Sequence, residues 1–345
     1  MASVLHKIID KIPKSKQISN QSYEGANIII YTKSKEFFNN GIPLIRELVS
    51  EFKKRIELRL DPDILKTEKK AEEIVRELVP KSANITQILF EPARSVMIID
   101  AQNPNDVIGQ RGALIKKIKE ETLWSPTVRR DSIISSKITN LIRRVLHEDS
   151  KERRKFLNKV GERIYEFKRS REDSEMWCRI SFLGAAQQVG RSAFLLQTPE
   201  SNILIDCGIN PAATDSSTYP RINVPEFDIA ELDAVVVSHA HLDHCGFLPY
   251  LFKYGYNGPI YCTAPTRDIM AISQLDYSNI AAGQGKKIYS SKEVKQAVKN
   301  TIAMEYGVVT DITPDIRLTL HNAGHILGSA MCHFNIGDGF HNLLY

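Results

Sequence analysis

An apolar strand, Ala234-Val235-Val236-Val237, runs straight into Ser238-His239-Ala240-His241-Leu242-Asp243-His244. Three histidines and an aspartate in six consecutive positions exceed what packing asks for, since so many ionisable groups are costly to bury unpaired. Imidazole and carboxylate are nitrogen and oxygen donors of the kind that hold zinc. Donors at the C-terminal end of a buried strand sit where layered α/β folds place their sites. The chain must therefore build a layered core with a metal-ligand loop at one edge of its sheet.

With 345 residues the chain can form two or three domains, each with its own core. No segment has the apolar length of a membrane span, and Met1-Ala2-Ser3-Val4-Leu5-His6-Lys7 does not open a signal peptide. The expectation is a cytoplasmic protein with no membrane partner. The five cysteines are odd in number and include no Cys-x-x-Cys pair, against both a disulfide framework and a structural zinc finger. Cys245, beside the histidines, reads as a small buried residue.

Charge divides the chain. Through Met176 there are 35 Lys and Arg against 26 Asp and Glu, and beyond it 11 against 15. Seven of the nine histidines follow position 238. A basic front and an acidic, histidine-rich back suggest nucleic-acid contact ahead of metal chemistry.

The front half alternates short strands and helices. Asn27 to Tyr31 and Ile56 to Leu60 read as strands around a helix from Pro43 to Arg55; a helix from Glu68 to Leu78 stops before Pro80. Ile88-Leu89-Phe90 and Ser95 to Ile99 are two further strands across a turn. Then comes Val107-Ile108-Gly109-Gln110-Arg111-Gly112-Ala113-Leu114-Ile115-Lys116-Lys117-Ile118. This resembles the Gly-x-x-Gly loop of a KH domain, where glycines let backbone approach a phosphate chain and the next helix N-terminus favours its charge. KH loops clamp about four nucleotides of single-stranded nucleic acid. Gly109, Gln110, Arg111 and Gly112 would form the loop, with Lys116 and Lys117 as counter-charge. The earlier strand-helix-strand unit looks like a degenerate copy, with only Asn39-Asn40-Gly41-Ile42-Pro43 in place of the loop. Beyond it, Ile138, Leu141, Ile142, Val145 and Leu146, then Phe156, Leu157, Val160, Ile164 and Phe167, form apolar helical faces of a charged connector. The polar run Arg169 to Glu175 is a natural boundary.

In the back half, Ile180 to Gly184, Ser192 to Leu196, Asn202 to Gly208 and Pro259 to Cys262 read as strands. Helices are expected over Arg267 to Ala282 and Ser290 to Ala303, the second opened by capping-box spacing of Ser290 and Glu293. Arg317 to Leu320 then leads into Asn322-Ala323-Gly324-His325-Ile326-Leu327-Gly328-Ser329-Ala330. An aspartate-ended strand, His-x-His-x-Asp-His and a later histidine in a glycine-rich turn resemble the first three motifs of the metallo-β-lactamase fold. The wording of Phe182-Leu183-Gly184-Ala185-Ala186-Gln187-Gln188-Val189-Gly190-Arg191-Ser192 and of the two histidine motifs resembles its β-CASP branch of nucleic-acid hydrolases. With KH units ahead, essentially the whole chain is similar to the archaeal cleavage and polyadenylation specificity factor-like family, transcription termination factors with ribonuclease activity.

The resemblance implies residues 1–69 as a degenerate KH-like domain and 70–146 as a KH domain. It implies 147–178 as a charged helical linker and 179–345 as the N-terminal part of an αββα metallo-β-lactamase sandwich, truncated before the β-CASP insertion. It implies that His239, His241 and His325 hold a first zinc and that Asp243 and His244 hold a second, with Asp206 orienting a ligand histidine. Two-zinc phosphodiester hydrolysis would follow, endonucleolytic or 5′–3′ exonucleolytic, leaving 5′-phosphate and 3′-hydroxyl ends. The implied partners are uridine-rich single-stranded transcript 3′ ends and RNA polymerase, with a homodimer for the full-length protein. In the family the strand after the third motif ends in an aspartate bridging both metals; here His341-Asn342-Leu343-Leu344-Tyr345 ends first. The chain therefore reads as a fragment holding one zinc or none tightly, with absent or feeble activity. A KH module with an inert back half, and a small-molecule thioester or lactam hydrolase, are the competing readings.

Overall fold

The computed structural model describes residues 3–131, 136–169 and 175–345. These fall into two compact units, one of residues 1–140 and 147–161, the other of 141–146 and 162–345.

The first unit repeats one pattern twice. Its first copy runs α1 (Val4–Ile9), β1 (Ile18–Glu24), β2 (Asn27–Thr32), α2 (Lys35–Asn40), α3 (Ile42–Phe52) and β3 (Arg55–Leu60). Its second runs α4 (Glu68–Leu78), β4 (Ile85–Glu91), β5 (Val96–Ala101), α5 (Pro104–Ile108), α6 (Ala113–Thr122) and β6 (Ser125–Arg130). In both, the first two strands are antiparallel and the third lies parallel to the second. The parallel pairing needs a crossover, which the helix pair supplies. Ala71 and Val75 of α4 and Ile118 of α6 pack on Met97 and Ile99 of β5 with Trp124.

A buried ion cluster ties the copies together. Both terminal guanidinium nitrogens of Arg59, on β3, donate to Glu24 at 2.7 and 2.9 Å, and Arg94, in the β4–β5 turn, donates to the same carboxylate at 2.8 and 2.6 Å. Two cations outweigh the cost of burying Glu24 and hold its pKa down at about 2.

Two helices follow, α7 (Lys137–Val145) and α8 (Ser150–Tyr165). The stretch expected as a charged helical linker, 147–178, includes α8. Residues of α8 through Gly161 count with the first unit: Tyr23 N donates to Asn158, and a side chain at Gly161 would meet Tyr23 Cβ at 2.1 Å. In the second unit, Ile142 and Leu146 pack with Ala271, Tyr289, Val294 and Val298. The boundary expected over Arg169–Glu175 lies mostly outside the described residues.

The second unit is a sandwich. One sheet contains β7 (Arg179–Phe182), β8 (Phe194–Gln197), β9 (Asn202–Ile205) and β10 (Ala234–Val236). After α9 (Leu242–Cys245) and α10 (Leu248–Lys253) it adds β11 (Ile260–Cys262) and, after α11 (Ala264–Gly283) and α12 (Ser291–Asn300), β12 (Thr301–Ala303). Its strands lie in the order β12-β11-β10-β9-β8-β7, parallel from β9 to β12. The second sheet is antiparallel: β13 (Thr310–Asp311), β14 (Ile316–Asn322), β15 (Ala330–Ile336) and β16 (His341–Leu344). Ile203, Ile205 and Val236 face Leu318, Leu320 and Phe334 between the sheets; Leu204, Val235 and Ile260 face Leu248, Leu251, Met270 and Ala297 on the helical side. Burial on both sides is why β10 reads as an unbroken apolar run.

One expected element is corrected. The helix expected over Ser290–Ala303 ends at Asn300, and Thr301–Ala303 form a strand beside β11. The capping box is present, but buried Asn300 donates to the carbonyls of Asn257 and Gly258 and turns the chain. The β-branched pair Thr301-Ile302 then suits the sheet edge. Among the described residues no helix is long and apolar enough to cross a membrane.

Candidate metal centre and nucleic-acid loop

Strand ends build the centre. β9 ends just before Asp206, whose left-handed backbone (φ 56°) turns the chain, and Val237 leads from β10 into Ser238-His239. His241 is the N-cap of α9, which carries Asp243 and His244. His325 comes from the turn between β14 and β15. Ser329 Oγ accepts the backbone N–H groups of His325 and Ile326 there, and a side chain at Gly328 would meet Thr263 Oγ1 at 2.7 Å.

His239, His241 and His325 converge, with one ligand atom of each within 4.8 Å of the others. His241 Nδ1 and His325 Nε2 are 3.2 Å apart. Two nitrogens on one tetrahedral zinc, each at about 2.0–2.1 Å, stand roughly 3.3 Å apart, so these residues fit that ion. Burial first, then the neighbouring His244, His241 and His325, push the His239 pKa down to about 4 against the pull of Asp206. A neutral imidazole is the form that binds a metal.

Asp243 and His244 form a second pair beside the first set. His244 Nε2 lies 3.7 Å from Asp243 Oδ2, and its ring centroid is 4.0 Å from that of His239. Asp206 is fully buried and holds this half in place: Oδ1 accepts Ser238 N at 2.7 Å, while Oδ2 accepts Ser238 Oγ at 2.7 Å, His244 Nδ1 at 2.6 Å and the Tyr345 hydroxyl at 2.7 Å. Burial opposes the imidazolium of His244, but Asp206 and then Asp243 outweigh it and raise its pKa. The Asp206 bond leaves Nε2 of His244 as the free donor atom.

Sequence alone assigns no role to Ser192, Ser238 or Tyr345. Ser192 Oγ and the Tyr345 hydroxyl are 2.8 Å apart, and Ser238 Oγ lies 3.0 Å from His239 Nδ1. Of the three, only Ser238, beside the cluster, carries a usable signal. Cys245 is buried, donates to the Ala240 carbonyl, and has its thiol pKa pushed well up by burial. Beside the centre opens a cleft of about 940 Å³, lined in part by His241, Asp243, Asp215, Tyr219 and Tyr277.

In the first unit, Gly109 (φ 73°, ψ 172°), Arg111 (φ 52°, ψ 25°) and Gly112 (φ 76°, ψ 16°) form a left-handed turn between α5 and α6. Gln110, Arg111, Lys116 and Lys117 are exposed around it. The first copy has nothing comparable. Gly41 alone joins α2 to α3 in right-handed conformation, and a side chain there would meet the Phe37 carbonyl at 2.5 Å.

Two family models match the chain: the KH domain of transcription termination factor FttA over residues 1–65, and the metallo-β-lactamase superfamily domain over residues 195–345. The KH match thus falls on the copy without the glycine loop. The chain is 46% identical over 347 residues to transcription termination factor FttA of Methanothermobacter thermautotrophicus, covering 100% of this chain and 54% of that protein. For the same-named protein of Methanococcus maripaludis the identity is 45% over 339 residues, covering 98% and 53%. The chain spans about half the length of the curated relatives it matches. A metallo-β-lactamase from Cronobacter sakazakii superposes on 48% of this chain and 60% of its own at 20% identity and a TM-score of 0.35, which adds nothing to the family match.

Proposed function

The chain belongs to the archaeal FttA family, with a KH domain followed by a metallo-β-lactamase domain, and on that premise we propose that it serves a zinc-dependent ribonuclease acting on nascent transcripts. The observation that carries this reading is the convergence of His239, His241 and His325 at the end of a buried strand, in a chain that also holds a Gly-x-x-Gly turn.

In this reading the three histidines hold a first zinc, and Asp243 with His244 contribute to a second. Bound zinc supplies Lewis acidity toward a phosphodiester. Asp206 fixes the His244 ring and keeps its proton on Nδ1. Burial keeps His239 neutral and ready to bind. Residues 68–130 act as a second KH copy, in which Gly109 and Gly112 admit a phosphate chain while Arg111, Lys116 and Lys117 balance its charge. The substrate is single-stranded RNA at uridine-rich transcript 3′ ends. RNA polymerase as a partner, a homodimer and a cytoplasmic location are proposed for the whole protein.

The test combines metal stoichiometry with cleavage of a uridine-rich RNA by the complete protein and by its His239→Ala/His241→Ala variant. Lost metal and lost cleavage with RNA affinity retained support the nuclease. Unchanged cleavage overturns it. An RNA-binding module alone would bind RNA without cleaving it in either form.

A further inference from the structure

The loop between β7 and β8 belongs to the resemblance, yet the metal centre uses only Ser192 of it. Its backbone is left-handed at Ala185, Gln187, Gly190 and Arg191, three of them with side chains that disfavour it. Two bonds fix the strained turn beside the centre: Arg191 N donates to Ile209 O at 2.9 Å, and Ser192 N to Asp243 O at 2.7 Å.

That turn places Arg191 in the interior, 5% exposed. Among the described residues no carboxylate lies within ion-pair distance of it. Its two terminal nitrogens donate to the Tyr219 carbonyl at 2.9 Å and to Gln188 Oε1 at 3.1 Å, and its Nε has no partner. A buried cation with only neutral acceptors is costly. Arg191 lines a pocket of about 350 Å³ together with Arg221, Ser216, Ser217 and Asn223, and the lining holds two cations and no acid. Asp215 feels the Arg191 charge, but its carboxylate accepts from the Ser217 N–H and hydroxyl and lines the neighbouring cleft instead. Tyr219 lines both the pocket and the cleft of the metal centre.

We infer that this pocket binds a phosphate group, taken by the guanidinium groups of Arg191 and Arg221 with help from the Ser216 hydroxyl. Planar guanidinium forks and hydroxyl donors match the oxygens of a phosphate. If the nuclease reading holds, that phosphate is one of the strand's own, next to the segment in the cleft. Otherwise it is a free phosphate.

The experiment measures inorganic phosphate binding to the metal-free chain by calorimetry, with ionic strength held constant by chloride. Arg221 is exposed, so Arg221→Met leaves the fold intact, as circular dichroism would verify. Phosphate affinity should fall about tenfold in Arg221→Met and in Arg191→Lys. Unchanged affinity in the folded Arg221→Met chain overturns the pocket. A single-stranded RNA that displaces phosphate, and whose binding loses about 0.7 of its log–log salt slope in Arg221→Met, assigns the pocket to a strand phosphate. Phosphate binding that RNA does not displace supports the pocket as a free-phosphate site. Neither arm needs bound zinc or cleavage, so failure of the nuclease reading leaves the pocket's test intact.

Discussion

Asp206 and His244 are joined at 2.6 Å, with the imidazole Nδ1 donating to a carboxylate oxygen that also takes the Ser238 and Tyr345 hydroxyls. One buried acid thus decides which nitrogen of His244 is free. Removing the charge while keeping the shape should damage one half of the centre and spare the other. In Asp206→Asn, metal affinity at the Asp243–His244 half should fall about 10–100-fold. The three-histidine half should keep its ion, because none of its rings bonds to Asp206. Chelator competition with metal analysis reads both. Equal loss from both halves would show Asp206 to be a folding residue only.

Glu24 should make the first unit acid-sensitive within a defined window. Its pKa is about 4.5 in an unfolded chain and about 2 in the fold, held down by Arg94 and Arg59 against burial. A depressed carboxylate contributes fully above the unfolded pKa and is lost as pH falls through the folded one. Near pH 7, Glu24→Gln leaves Arg59 with Glu57 alone and Arg94 with Glu91 alone, so two buried cations lose the carboxylate they share, and it should cost roughly 3–5 kcal/mol. The difference from the parent should shrink from about pH 4.5 down to about pH 2. Urea denaturation of the whole chain, followed by the fluorescence of buried Trp124, tests it. A pH-independent difference would mean that shape, not charge, matters at Glu24.

The convergence of His239, His241 and His325 was legible because core packing alone never calls for so many imidazoles and carboxylates at the end of an apolar strand. The missing loop in the first KH copy was legible for a related reason: Asn39 to Pro43 cannot form a Gly-x-x-Gly turn, and the chain turns on Gly41 alone. Tyr345 was not legible. At the end of an apolar strand it reads as core, and only pairing of β16 with β15 carries its hydroxyl to Asp206, 139 positions away. Arg191 was hidden in the same way, because burial without a carboxylate is a property of the folded neighbourhood. The Thr301 strand was lost to a local signal, since the Ser290 capping box marks where a helix starts and says nothing of where it stops.

The cysteines should separate by access. Cys207, Cys245, Cys262 and Cys332 are buried with thiol pKa values raised by burial, whereas Cys178 is only partly covered. Iodoacetamide at pH 8 should modify Cys178 alone in the folded chain, slowly, since burial and Asp315 raise its pKa too. All five should react in urea. Peptide mass spectrometry gives the answer, and native labelling of Cys245 would reopen it as a metal ligand.

The two glycines of the proposed nucleic-acid turn should respond differently to the same substitution. A side chain at Gly112 meets nothing closer than Ile115 Cγ2 at 3.9 Å, so the cost there is the left-handed backbone alone, about 1 kcal/mol. Gly109 combines φ 73° and ψ 172° with a Leu114 Cβ that a new side chain would approach to 2.6 Å. Gly112→Asp should therefore fold nearly normally and place a carboxylate where phosphate would pass. RNA affinity should drop at least about tenfold, with metal stoichiometry unchanged, because one charge-assisted contact is replaced by repulsion. Gly109→Asp should lose the same affinity and also destabilise the helix pair α5 and α6, seen as a lower urea midpoint. Gly112→Asp with full RNA affinity would remove the turn from the binding surface, whatever Gly109→Asp does.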